Sequence, residues 1–227
     1  VAADMSQIDF NFGANIFMLG EYDTDEENKR YERKFCRIFN SASVPLYWEG
    51  TEPIQGYLRY DADTKRDIYR RPPADAVRDF CRKHNLRMKG HPLFWHEFVP
   101  TWLPDDFSEL KPLIVKRFEE ISERYSKDFE RFDVVNEPSR IYDVYIEHLH
   151  KTNWKCLVPD DDYIPWLFRL ADRYFPSNTL ILNDTVGASF DEFRGKYSAY
   201  YLNIASLLER GIRIDEIGLQ CHLGGNW

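Results

Sequence analysis

Short apolar runs alternate with charged, amphipathic runs along almost the whole chain, and this alternation constrains the fold more than any other feature. Phe10–Leu19, Ala42–Trp48, Leu86–Trp95, Phe132–Asn136, Thr179–Leu182 and Ile214–Gln220 read as strands. Asp25–Asn40, Pro72–His84, Ser108–Ser126, Asp160–Tyr174 and Asp191–Arg210 read as the helices between them. In the first helix, Tyr31, Phe35, Ile38 and Phe39 fall near helical spacing on an otherwise charged segment. Pro72 and Pro73 suit a first helical turn, where proline forfeits no helical hydrogen bond. Ser108 is a candidate N-cap, and Gly211 stands where a helix C-terminus favours glycine. Glu52–Asp63 reads as a loop. Strict alternation implies parallel strands joined by crossover helices, so the class is α/β.

No GxGxxG or GxxxxGK[ST] run follows any strand, which argues against a nucleotide-binding Rossmann fold. The polar residues with chemical potential stand instead at the C-terminal ends of strands: His91 and His96, Asn136 and Glu137, Asn183 and Asp184, Gln220 and His222. A (β/α)8 TIM barrel places its catalytic groups there, because all strand ends converge on one mouth. About six strands and five helices are legible, against eight of each in a complete barrel. The expectation is a single domain over residues 1–227, truncated after the sixth strand. Such an open barrel exposes two strand edges and is expected to be unstable alone.

Composition removes several function classes. The net charge is −8, so nothing attracts a phosphate backbone and a nucleic-acid partner is not expected. No apolar run reaches transmembrane length, so no membrane partner is expected either. Cys36, Cys81, Cys156 and Cys221 are scattered and form no CxxC pair. No cofactor motif occurs. Aromatic residues make up 16%, with 6 Trp and 14 Tyr, which suits ring stacking on sugars as well as core filling. The chain starts at Val1 without the basic and apolar regions of a signal peptide, so the residues alone leave the compartment open.

Three constellations carry chemistry. Asn136 and Glu137 directly follow the apolar run FDVV. A carboxyl at the mouth of an apolar barrel is partly desolvated, which raises its pKa and suits a general acid; a helix-start or surface-loop carboxylate is the plainer alternative. Within GHPLFWHEFVPTW, His91 and His96 lie five apart, with Trp95 and Trp102 beside them. Residues five apart on a strand point to opposite faces, so hydrogen bonding to a sugar fits better than a shared metal. His148 and His150 sit in a charged loop region and are poor metal ligands. Gln220 and His222 are two apart and share a face, as ligand contacts or carboxylate orienters. The sequon at Asn183 is expected to face the barrel mouth and escape glycosylation.

The runs GHPLFWHEFVPTW, FDVVNEP, ILND and IDEIGLQCHL, in that order and spacing, resemble glycoside hydrolase family 10, the endo-1,4-β-xylanase family. The resemblance runs from FGANIFML to the end of the chain. It implies a (β/α)8 barrel, a retaining mechanism on β-1,4-xylan or a related plant polysaccharide, no cofactor and no metal. Glu137 matches the general acid/base, and Asn136 the asparagine that contacts the sugar next to the cleaved bond. His91 and His96 match the third-strand histidines, with His96 facing that same sugar. Asn183 and Asp184 match the fifth-strand site. Gln220 and His222 match the sixth-strand pair, whose histidine orients the nucleophile. Polysaccharide substrates imply a secreted or periplasmic enzyme.

Two departures from the family pattern matter. The family nucleophile ends the seventh strand, and no residue here matches it, so the partner carboxylate and a missing C-terminal segment must come from elsewhere. After the second strand the family carries a Glu-Asn…Met-Lys-Trp grip, whereas this chain has SVPLYWEGTEPIQG, leaving Trp48 and Glu49 as candidates for a different grip. Two other readings stand beside the glycosidase: a carbohydrate-binding protein without turnover, and an α/β enzyme using His91 and His96 with a metal.

Overall fold

The computed structural model describes residues 10–61, 71–104, 106–140, 162–185 and 198–220. The elements run β1 (Gly13–Asn15), α1 (Asp25–Ile38), β2 (Ser41–Pro45), α2 (Trp48–Thr51), α3 (Ala74–Lys83), β3 (Arg87–His91) and β4 (Phe94–Trp95). They continue α4 (Phe107–Tyr125), β5 (Arg131–Asn136), a short 3-10 helix Pro138–Arg140, α5 (Tyr163–Tyr174), β6 (Thr179–Asp184), α6 (Ala199–Glu209) and β7 (Glu216–Leu219). Every strand pairing is parallel, in the order β1-β2-β3-β5-β6-β7, with β4 also on β5. The expected α/β architecture is therefore present as an open, barrel-type sheet with helices on its outer face.

Register climbs across the sheet. Gly13 pairs Ser41, which pairs Arg87; two residues further up β3, Lys89 pairs Arg131, which pairs Thr179; two residues further up β6, Ile181 pairs Glu216. β7 leaves Ile217 and Leu219 more than half exposed, at 52% and 56%.

Local chemistry explains the element limits and corrects several expected ones. α1 opens on Thr24, whose hydroxyl accepts from Glu27 N at 3.2 Å and donates to the Glu27 carboxylate at 2.8 Å, a reciprocal cap. α3 begins at Ala74 with Pro73 as its N-cap, so both prolines precede the first turn instead of occupying it. The cap of α4 is Asp106, not Ser108: Ser108 donates its backbone N–H and its hydroxyl to Asp106 Oδ1, at 2.7 and 2.6 Å. α6 does end before Gly211, which adopts φ +65°.

The single strand expected over Leu86–Trp95 is two, because Pro92 has no N–H to offer a ladder. Leu93 N resumes pairing on Asp133 O at 2.9 Å. Seven strands thus fill six barrel positions. β1 is shorter than expected, and Phe10 and Phe12 lie exposed beside it. The core lies between sheet and helices, where Phe118, Phe129, Phe132, Phe168 and Phe175 are fully buried. Arg117 of α4 is buried there too.

Candidate active site

The C-terminal ends of the strands enclose a cavity of about 300 Å³. Each βα unit sends its last strand residues there: Asn15 from β1, His91 from β3, Trp95 from β4, Asn136 and Glu137 from β5, Asn183 from β6, and Leu219 with Gln220 from β7. Tyr47, Ser43 and Lys89 complete the lining. One wall is aromatic. Tyr47 lies 5.8 Å from Trp95, 5.5 Å from His91 and 5.5 Å from Phe98, mostly edge to face.

Beside it, on the strands that follow, stands a set of side-chain amides. Asn136 Oδ1 accepts from Asn183 Nδ2 at 2.7 Å and from Gln220 Nε2 at 3.0 Å. Glu137 follows directly, 5% exposed and with φ +53°, and its backbone N–H donates to Asn183 O at 2.7 Å. Residues expected at the ends of three strands therefore converge on one point.

Two buried carboxyls support this arrangement. Asp133 Oδ2 lies 2.6 Å from His91 Nδ1 and 2.8 Å from Lys89 Nζ. Burial works to raise its pKa, but the Lys89 ammonium and the His91 contact outweigh that and hold it below its ordinary value. Asp184 accepts from Ser139 N at 3.0 Å and Thr185 N at 2.8 Å. Burial pushes its pKa up to about 6 against those hydrogen bonds, with the charge of Glu137 adding to the rise.

Other expected site residues fall elsewhere. Trp48, a candidate for a different grip, stands outside the cavity lining. It is 5% exposed in the short helix α2, donates Nε1–H to Glu52 Oε2 at 3.1 Å, and packs edge-on against Trp102 at 6.2 Å. The expected second strand ran on through Trp48, whereas β2 stops at Pro45 and the turn presents Tyr47 to the cavity instead. His96 is 1% exposed and stands outside the cavity lining; it follows β4, beyond the break at Pro92, so the opposite-face argument for a single strand does not apply to it. His222, His148 and His150 lie outside the described residues. Among the described residues no group of three or more His, Cys, Asp or Glu could hold a metal ion, and no helix is long and apolar enough to cross a membrane.

Sequence reasoning missed Tyr47, Lys89 and Asp133. The signal was available for the last two. An acid inside the apolar run FDVV needs a buried partner, and Lys89 and His91, two apart on one strand, share the face that supplies it.

The sequence profile of glycosyl hydrolase family 10 matches residues 48–226. Endo-1,4-beta-xylanase A of Caldicellulosiruptor saccharolyticus is 32% identical over 153 residues, covering 64% of this chain and 43% of that protein. Endo-1,4-beta-xylanase A of Halalkalibacterium halodurans is 31% identical over 176 residues, covering 68% of this chain and 41% of that protein. This chain thus spans less than half the length of these curated relatives. Among solved structures, xylanase 10B of Thermotoga petrophila RKU-1 in complex with xylobiose superposes with a TM-score of 0.70 at 25% identity, covering 93% of this chain and 59% of that one. Barrel-type sheet, polar strand ends and profile agree over most of the chain, which belongs to glycosyl hydrolase family 10.

Proposed function

We propose that this chain forms the larger part of the catalytic domain of a retaining, xylanase-like glycoside hydrolase, with Glu137 as its general acid/base. One observation carries the reading: Glu137 lies buried at the end of a barrel strand, on the wall of the cavity, beside an ordered set of amides able to bind hydroxyl groups. The substrate is β-1,4-xylan or a related plant polysaccharide, reached by export from the cell. His91, Asn136, Asn183 and Gln220 bind the sugar next to the cleaved bond, and Trp95 lies alongside it.

Retaining chemistry requires a second carboxylate about 5–5.5 Å from the first. Among the described residues lining the cavity, Glu137 is the sole carboxylate. The open edge at β7 is where a further strand would bring the second. That carboxylate attacks the anomeric carbon while Glu137 gives its proton to the departing glycosidic oxygen, so the C–O bond breaks and an alcohol leaves. Glu137, now ionised, takes a proton from water as that water attacks the glycosyl-enzyme. The sugar is released and both carboxyls return to their starting states.

The test is reducing-sugar release from xylan by the full natural chain, beside Glu137→Gln. General acid/base loss should reduce the rate by about 100-fold or more. Undiminished hydrolysis by the variant overturns the assignment. Oligosaccharide binding with no release by either protein replaces it with a carbohydrate-binding chain that does not turn over.

A further inference from the structure

We propose that Asp184 is the positioning residue for Glu137, an inference that rests on the acid/base reading of Glu137 and deepens it. Glu137 adopts φ +53°, a region that side-chain-bearing residues enter only when their surroundings force it. The next residue is Pro138, which has no N–H, so the two backbone donors nearest the Glu137 Cα are its own N–H and that of Ser139. Both end on consecutive residues of β6. Glu137 N donates to Asn183 O at 2.7 Å, and Ser139 N to Asp184 Oδ2 at 3.0 Å.

The second anchor is a side chain; the backbone oxygen of Asp184 serves the ladder to β7, accepting from Gln220 N at 3.1 Å. Thr185 N donates to Asp184 Oδ1 at 2.8 Å and so fixes the rotation of the carboxylate. Asp184 is fully buried, which keeps water from competing for either oxygen. The carboxylate therefore grips the turn on the far side of Pro138 and holds the acid/base in its strained conformation. An amide in its place has one oxygen for two N–H donors.

The experiment compares wild type, Asp184→Asn, Asp184→Glu and Glu137→Gln in the full natural chain, on xylan and on an aryl β-xylobioside. An activated aryl leaving group departs without a proton, so kcat/KM on the aryl substrate, which reports formation of the glycosyl-enzyme, does not depend on a misplaced acid. Misplacement of a catalytic group should lower kcat/KM on xylan roughly 10- to 100-fold in the Asp184 variants, with kcat/KM on the aryl substrate nearly unchanged while its kcat and KM fall together, because Glu137 also activates the water of the second step. Equal loss of kcat/KM on both substrates, or no loss on either, overturns the inference. If Glu137→Gln hydrolyses xylan normally, the parent reading fails instead. Hydrogen exchange on the wild type gives a result that needs no variant to fold: the Ser139 amide should be protected, and exchange at the rate of a solvated amide overturns the proposal.

Discussion

Asn136 shows how single atoms set the recognition pattern. Its carboxamide oxygen is occupied by two donors, from Asn183 and Gln220, so only its NH2 group is left to face a ligand. A sugar oxygen meeting Asn136 must therefore accept. Gly218 protects the arrangement, since a Cβ there would stand 2.3 Å from Asn183 Oδ1 and drive that side chain off Asn136. Gly218→Ala should cost roughly 1–3 kcal/mol of stability and weaken xylo-oligosaccharide binding, as read by denaturant titration and calorimetry.

Asp184 makes a second prediction at this scale. Its pKa of about 6 in the folded chain exceeds the usual 3.8 of an unfolded aspartate, so between those values the folded state holds more protons. Stability should fall as pH rises from about 4 to about 6, by about 3 kcal/mol in all, and stay down above that. Asp184→Asn should abolish this decline in unfolding free energies measured across that range. Convergence of Asn136, Glu137, Asn183 and Gln220 was legible in the sequence, because a polar residue ending an apolar strand has one place to point. Tyr47 was not, because where β2 ends depends on how α2 packs, and Trp48 drew attention by its size.

Among the elements, α4 contributes the least expected device. Buried Arg117 donates Nε–H to Leu93 O at 3.1 Å and Nη1–H to Thr51 Oγ1 at 2.7 Å. Its Nη2 bonds Leu46 O, and the guanidinium covers the Trp48 ring at 5.2 Å. One helix side chain thus ties together the segments after β2 and β3, the two that carry Tyr47 and Trp95. Burial holds its pKa below the usual arginine value, against the pull of Tyr60 and Glu52. Arg117→Met leaves two carbonyls and a hydroxyl buried without their donor and should cost roughly 3–5 kcal/mol in chemical denaturation. The sequence showed α4 as an amphipathic helix, but no periodicity distinguishes a buried arginine from a solvated one. Pro92 similarly split a strand that composition presented as continuous, whereas Gly211 stopped its helix where a left-handed residue was needed.

At the scale of the whole molecule, alternation sufficed for the α/β class, because a helical run separated each apolar run from the next. Whether the sheet closes depends on pairing between distant strands, which no local pattern encodes. Among the described residues the sheet is open at β1 and β7, with Ile217 and Leu219 exposed on β7 and Leu202 and Leu208 on α6. Residues 1–227 prepared alone should associate or melt without cooperativity. A cooperative thermal transition of a monomer, confirmed by sedimentation, would contradict this.

The climbing register described above has a geometric meaning. Residue pairing rises by two positions at β3 and by two more at β6, so the strands lean over as the sheet proceeds. A closed (β/α)8 barrel accumulates a shear of about eight residues around its eight strands. About half of that offset is already built into this sheet. Any pair of strands that bridges β7 to β1 must supply the rest, so closure selects its partner by helical pitch as well as by hydrophobic fit.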